Sequence, residues 1–322
     1  MNYIKDNGIM EKLPFWKFGG KSSSAEKYLF ENENGSGQML LYNVLPGLKL
    51  AVTELNGSTM NFYHHAVSGV MQVNYCLNWR MGWIMQGSRS IYLGQGDVSF
   101  HMMDCCTVSG ITLPLGHYSG IALFVDLNMA AQPFAETLNL SDVDLPAWAE
   151  KFCRGGEVTV WPGAAEIADM FALLPRVKSE YRQAYFKLKA QEILLFLAVY
   201  GVPHLKTAES CEERYMEIIK KIHAKITGSW QEHYTIEQLA REHSINASVL
   251  KKVFKMVYGK PMAQYMKEYR MRKAAALLVA GSSSVAEIAA AAGYGSQSKF
   301  AAAFKQVMQL APLEYRMRYG KK

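Results

Sequence analysis

The stretch TIEQLAREHSINASVLKKVF, residues 235–254, decides the reading of this chain. Thr235 and Gln238 make a capping box: the hydroxyl can cap a helix while the amide reaches back. A short helix is therefore predicted over Ile236–Glu242. His243–Asn246 suits a turn, and a second helix follows over Ala247–Tyr258. Val249, Leu250, Val253, Phe254 and Val257 form its inner face, and Lys251, Lys252 and Lys255 lie off it. A short helix, a tight turn and a longer helix with a basic outer side is helix-turn-helix grammar.

The grammar repeats in SVAEIAAAAGYGSQSKFAAAF, residues 284–304. Ser284 and Glu287 make a second capping box, with a helix over Val285–Ala291, a turn over Ala292–Gly295 and a helix from Ser296 to about Met308. Leu239-Ala240 matches Ile288-Ala289 at an offset of 49, and Leu250 and Phe254 match Phe300 and Phe304 at 50. One residue is thus added in the second turn. Two copies make an internal duplication; a solenoid needs at least three. Between the copies, Pro261 suits a first helical position and Gly281 the position past the end. Twenty residues at 1.5 Å give a helix of roughly 30 Å, close to the ~34 Å of one turn of B-DNA. The spacer can set two recognition helices in successive major grooves, so double-stranded DNA is the expected partner.

The charge agrees. Residues 211–322 hold 19 Lys+Arg against 9 Asp+Glu, whereas residues 1–210 hold 16 against 19. A basic C-terminal third on a mildly acidic body points only that third at a polyanion. The whole chain has 322 residues, half of them apolar and 20% charged. That suits about two globular domains and excludes disordered or collagen-like chains. No apolar run approaches the ~20 residues of a spanning helix, and the N-terminus lacks a signal-peptide core. A soluble, cytoplasmic protein with no membrane partner is expected. The five cysteines include no CxxC pair, so neither a disulfide framework nor a structural zinc site is suggested.

The first 130 residues read as short strands: Met39–Val44, Leu48–Leu55, Val70–Leu77, Met81–Met85, Arg89–Leu93, Val98–Met102 and Tyr118–Leu127. Turns are expected at Asn78–Arg80, Gln86–Ser88 and Gly94–Asp97 between them. That spacing implies a sandwich or barrel. Helical spacing follows over Ala164–Leu174 and Ala184–Tyr200. The second helix carries an apolar stripe through Leu188, Gln191, Leu195 and Ala198 that needs a partner, making Leu188 and Leu195 candidates for homodimerisation. Pro203–Ser210 reads as a linker.

Residues 215–320 resemble the AraC/XylS family of bacterial transcription regulators. The resemblance is carried by both motifs, by Arg270-Met-Arg-Lys-Ala274 with Leu277-Leu278, and by Gly293-Tyr294, Phe304-Lys305, Pro312 and Tyr315-Arg316. It departs at Gln309, where the family usually has glycine. It implies base-reading positions early in each second helix: Ala247, Ser248, Lys251 and Lys252 in the first, and Ser296, Gln297, Ser298, Lys299 and Ala302 in the second. Lysine can bond guanine, glutamine can pair with adenine and alanine can touch a thymine methyl. Lys255 and Lys305, further along, suit phosphate contacts.

Residues 70–130 resemble the cupin-like barrel of such regulators, and most of all the pyochelin-regulator subgroup, through VNYCLNWRMGWIM, GQGD and LPLGHYSGIALFVDL. That likeness departs at Trp79, where the subgroup usually has glycine beside Arg80. Cupin enzymes hold metal through an HxH run, and His64-His65, His101 and His117 do not supply one; no metal and no cofactor are expected. Cys105-Cys106 matches no reactive motif. Trp79, Met81 and Trp83 alternate on one strand and could line a pocket for a small-molecule effector.

The expected fold class is α+β multidomain: a cupin-like β-barrel with a helical segment, then an all-α double helix-turn-helix. The expected domains are an effector-sensing barrel over 1–130, a helical dimerisation segment and linker over 131–210, and a DNA-binding domain over 211–322. The expected function is a sequence-specific transcription regulator and not an enzyme. By family habit it is an activator, which implies RNA polymerase as a further partner. The alternatives are a ligand-independent dimeric regulator and a metal-dependent cupin enzyme fused to a DNA-binding domain.

Overall fold

The computed structural model describes the chain apart from residues 1–8, 23, 62–64, 86–88, 105–107, 142, 203, 282 and 321–322. The expected turn at 86–88, His64 and Cys105-Cys106 lie outside the described residues. The chain divides into two compact units, residues 1–212 and 213–322.

The first unit opens with a 3-10 turn and then runs through strands β1 (Lys17–Lys21), β2 (Glu26–Asn32), β3 (Gly35–Leu45), β4 (Leu48–Gly57), β5 (Thr59–Asn61), β6 (Val70–Met85), β7 (Arg89–Gly94), β8 (Val98–Met102), β9 (Val108–Thr112) and β10 (His117–Asp126). Helices α1 (Ala131–Leu138) and α2 (Leu145–Phe152), strand β11 (Thr159–Trp161), helices α3 (Ala165–Ala172) and α4 (Arg182–Tyr200), and strands β12 (Lys206–Thr207) and β13 (Ser210–Glu212) complete it. One path of antiparallel pairs runs β1-β2-β3-β4-β10-β6-β8-β11-β12, and β6 also pairs β7 and β9, which pair β13 and β5.

The sheet does not close, so the expected cupin-like barrel is instead an open, folded antiparallel domain. Strand β6 is shared between the two sheets. Its first half pairs β10 and β8, and its second half pairs β7 and β9. The turn expected at Asn78–Arg80 is a bulge within this one strand: Ser119 faces Asn78, Gly120 faces Cys76, and Leu77 is left unmatched. A bulge bends a strand and raises its twist, which carries β6 out of one sheet and into the other.

The helices cover one face of the sheet. Val73, Tyr75, Phe100 and Leu123 pack there against Phe134, Phe152, Phe171, Phe186 and Leu197 in a single core. The segment over 131–210 is therefore built on the sheet rather than set apart from it. The linker expected at Pro203–Ser210 is also partly structured, because β12 pairs β11 and β13 pairs β7.

The second unit is helical: α5 (Glu213–Gly228), α6 (Ile236–Glu242), α7 (Ala247–Tyr258), α8 (Met262–Ala280), α9 (Val285–Ala291), α10 (Gln297–Met308) and α11 (Pro312–Tyr319). Both predicted capping boxes form, at Thr235/Gln238 and Ser284/Glu287. Pro261 is the N-cap of α8 and Ser296 that of α10, each one place outside its helix. Among the described residues no helix is long and apolar enough to cross a membrane.

Candidate nucleic-acid interface

The two helix-turn-helix motifs share their internal bonding. In the first, Ser244 takes φ 51° and the Ile245 N–H donates to the Ala240 carbonyl at 3.0 Å. In the second, Gly293 takes φ 77° and the Tyr294 N–H donates to the Ala289 carbonyl at 3.0 Å. The second copy has a reason for glycine: a Cβ there would fall 2.4 Å from the Gln231 carbonyl oxygen. Gly295 is then the added residue, and the caps Asn246 and Ser296 restart the match. Leu250, Phe254, Phe300 and Phe304 are all fully buried, which fixes the opposite side of each second helix to the outside.

On that outer side of α7 stand Ser248, Lys251, Lys252 and Lys255, all exposed, with Ala247 half-buried at the first position. Lys251 Nζ lies 4.0 Å from the Glu237 carboxylate on α6. On α10, Gln297, Ser298, Lys299, Ala302 and Lys305 are exposed. Ser296 is half-buried and its hydroxyl accepts from the Lys299 N–H at 3.4 Å, so it spends that oxygen as a cap.

The spacer α8 has 19 residues, about 28 Å at 1.5 Å each. Its Arg270 belongs to the run that carried the family resemblance, but the sequence says nothing of its task. The buried guanidinium donates from Nε to the Trp230 carbonyl and from a terminal nitrogen to the Glu232 carbonyl, both at 2.6 Å. Its other terminal nitrogen donates to His233 Nδ1 at 3.2 Å. Arginine has no acceptor, so Nδ1 accepts and Nε2 carries the proton, which it donates to the Gly293 carbonyl at 3.1 Å. Arg270 and His233 thus tie the spacer helix to the turn of the second motif through the segment that follows α5. His233 could not be found from sequence, because its partners lie 37 and 60 residues away.

The first unit sorts its candidates differently. Met81 and Trp83 are buried and line a cavity between the sheets. Trp79 does not line it: it is 48% exposed, takes φ 62° and sits against the His117 ring at 5.4 Å. Strand alternation put Trp79 with its neighbours, and the left-handed backbone turns it away. Leu188 is 66% exposed, but Leu195 is half-buried and packs on the sheet–helix core. The face of α4 that carries the core is Phe186, Ala190, Ile193, Leu194 and Leu197. Burial pushes the Cys76 thiol up to about 12, which keeps it protonated and unreactive.

Residues 239–318 match the family described as a helix-turn-helix domain. The matched residues cover most of the second unit. Among curated proteins, the chain is 29% identical over 119 residues to the HTH-type transcriptional activator RhaR of Mannheimia succiniciproducens, covering 36% of this chain and 43% of that one. It is 34% identical over 95 residues to an AraC-like transcription regulator of Streptomyces antibioticus, covering 30% of each. The chain spans less than half the length of either relative. Among solved structures, the C-terminal domain of AraT, a response regulator from Geobacillus stearothermophilus, aligns at 27% identity over 33% of this chain and 88% of that one, with a TM-score of 0.32.

Proposed function

We propose that this chain is a sequence-specific, DNA-binding transcription regulator of the AraC type, an activator that answers to a small molecule and acts as a homodimer. One observation carries the reading: two motifs with the same turn bond each turn an exposed Lys/Ser or Lys/Gln/Ser face outward, and a single helix of about one DNA turn separates them. In this reading Ala247, Ser248, Lys251, Lys252, Gln297, Ser298, Lys299 and Ala302 face base edges. Ser296 sets the start of its helix, and Lys255 and Lys305 hold phosphates. Leu188 on the outside of α4 supports self-association. RNA polymerase is the partner an activator implies, and the cytoplasm is where both partners would be met.

A salt titration of the full chain on duplex DNA tests the reading. Each phosphate neutralised contributes about −0.9 to the slope of log K against log salt. A slope of several units is expected, and a slope near zero would remove DNA as the partner.

A further inference from the structure

The cavity between the sheets owes its form to β6. Before the bulge its even residues Gln72 and Asn74 line the cavity; after it the odd residues Met81 and Trp83 do. One strand therefore presents a polar stretch and an apolar aromatic stretch to the same space. The polar stretch continues across the ladder, where Gln72 faces His101 and Asn74 faces Ser99. Asn74 is buried, accepts from Gln72 Nε2 at 2.8 Å and donates to Ser99 Oγ at 3.3 Å. Those bonds use one N–H and one lone pair of an amide that has two of each.

Small residues make the room. Gly120 and Ala122 on β10 face Cys76 and Asn74. Tyr118 folds over Gly120, where a Cβ would lie 1.9 Å from its hydroxyl. The cavity measures about 120 Å³, and among the described residues no Asp, Glu, Lys or Arg lines it. An apolar cavity of about 150 Å³ takes a benzene ring, so this somewhat smaller space is on the scale of a single small ring. A charged group inside it would lose hydration and meet no carboxylate, lysine or arginine among the described lining residues, only the His101 ring.

We infer that the cavity binds a small, neutral, single-ring molecule bearing an amide or hydroxyl group, the ring against Trp83 and Met81 and the polar group on Asn74 and its neighbours. The inference deepens the regulator reading, since this molecule would be the signal. Its test is thermal melting of the full chain at pH 8 with millimolar benzamide, benzoate or toluene. Benzamide should raise the melting temperature by several degrees, toluene by less and benzoate not at all. Ala122→Leu fills the cavity and should abolish the benzamide shift. Asn74→Leu should bring the benzamide shift down to that of toluene. A benzoate shift equal to benzamide, no benzamide shift, or a shift that survives Ala122→Leu each overturns the assignment. DNA affinity measured on the same samples separates the two ideas. Intact DNA binding without a benzamide shift sinks the ligand alone, and loss of DNA binding in the unmodified chain sinks the reading beneath it.

Discussion

Gln309 closes α10 at φ 62°, the place where its counterpart Gly259 closes α7 at φ 80°. Both departures from the family resemblance, Gln309 and Trp79, fall on left-handed backbone. A left-handed residue other than glycine costs about 1–2 kcal/mol, partly offset by glycine's freedom when unfolded. Gln309→Gly should therefore stabilise the chain by about 0.5–1 kcal/mol in urea melts. Trp79→Gly should change stability little, because the ring is half outside. Trp83→Ala, by contrast, should cost ~3 kcal/mol or more. Equal losses at the two tryptophans would put Trp79 in the core. His223 sets a pH dependence. It stacks on Tyr258 at 4.3 Å and meets the Tyr265 hydroxyl at 2.8 Å, and burial pushes its pKa down to about 4. The unfolded chain takes up this proton near pH 6.5, the folded unit only near 4. Stability is thus full above pH 6.5 and falls as pH drops towards 4. The loss is on the order of 2 kcal/mol after discounting for partial exposure. His223→Phe should flatten that fall in denaturant melts run across the range.

At the scale of elements, α7 separates two kinds of lysine. Lys252 stands in the second turn of the helix and Lys255 nearly a turn further on. Lys252→Ala should change which base pairs are tolerated in a randomised site library, at ~1–3 kcal/mol for a base contact. Lys255→Ala should weaken all sequences alike. Uniform loss from both variants would assign both to phosphate. The spacer adds a second element effect. Since His233 bridges Arg270 and the Gly293 carbonyl, His233→Ala should loosen the second motif against α8. Binding should then tolerate half-site spacings one base pair off the optimum, while each half-site alone binds as before. Unchanged spacing selectivity would leave the bridge with a stabilising role only.

At the scale of the molecule, α4 is apolar on both sides. Its inner side completes the sheet–helix core, while Leu188 and Val199 are each 66% exposed and Tyr200 72%. Exposed apolar residues eleven positions apart on one helix mark a surface suited to a second copy. Leu188→Glu should yield a folded monomer by light scattering, with weaker binding to paired sites. Leu195→Glu should instead unfold the first unit, because Leu195 rests on the core. A dimer that persists in Leu188→Glu would move the interface elsewhere.

The double motif was legible because everything that makes it is local. Capping boxes span three residues, the inner faces repeat every three to four, and the duplication repeats each signal, so α6, α7 and α9 fall on their predicted bounds. Strands β7, β8 and β10 were likewise visible in alternation and turn residues, while β6 read as two strands with a turn between them. What alternation could not reveal is the parity change in β6, because a bulge is set by the partner strand and not by the strand itself. That single event joined Gln72 and Asn74 to Met81 and Trp83, while the left-handed backbone at Trp79 turned its ring away from them. The task of His233 and the split of the α4 apolar residues between core and surface escaped for the same reason. Local periodicity determines which elements form and which side is apolar, but only long-range packing decides what that side meets.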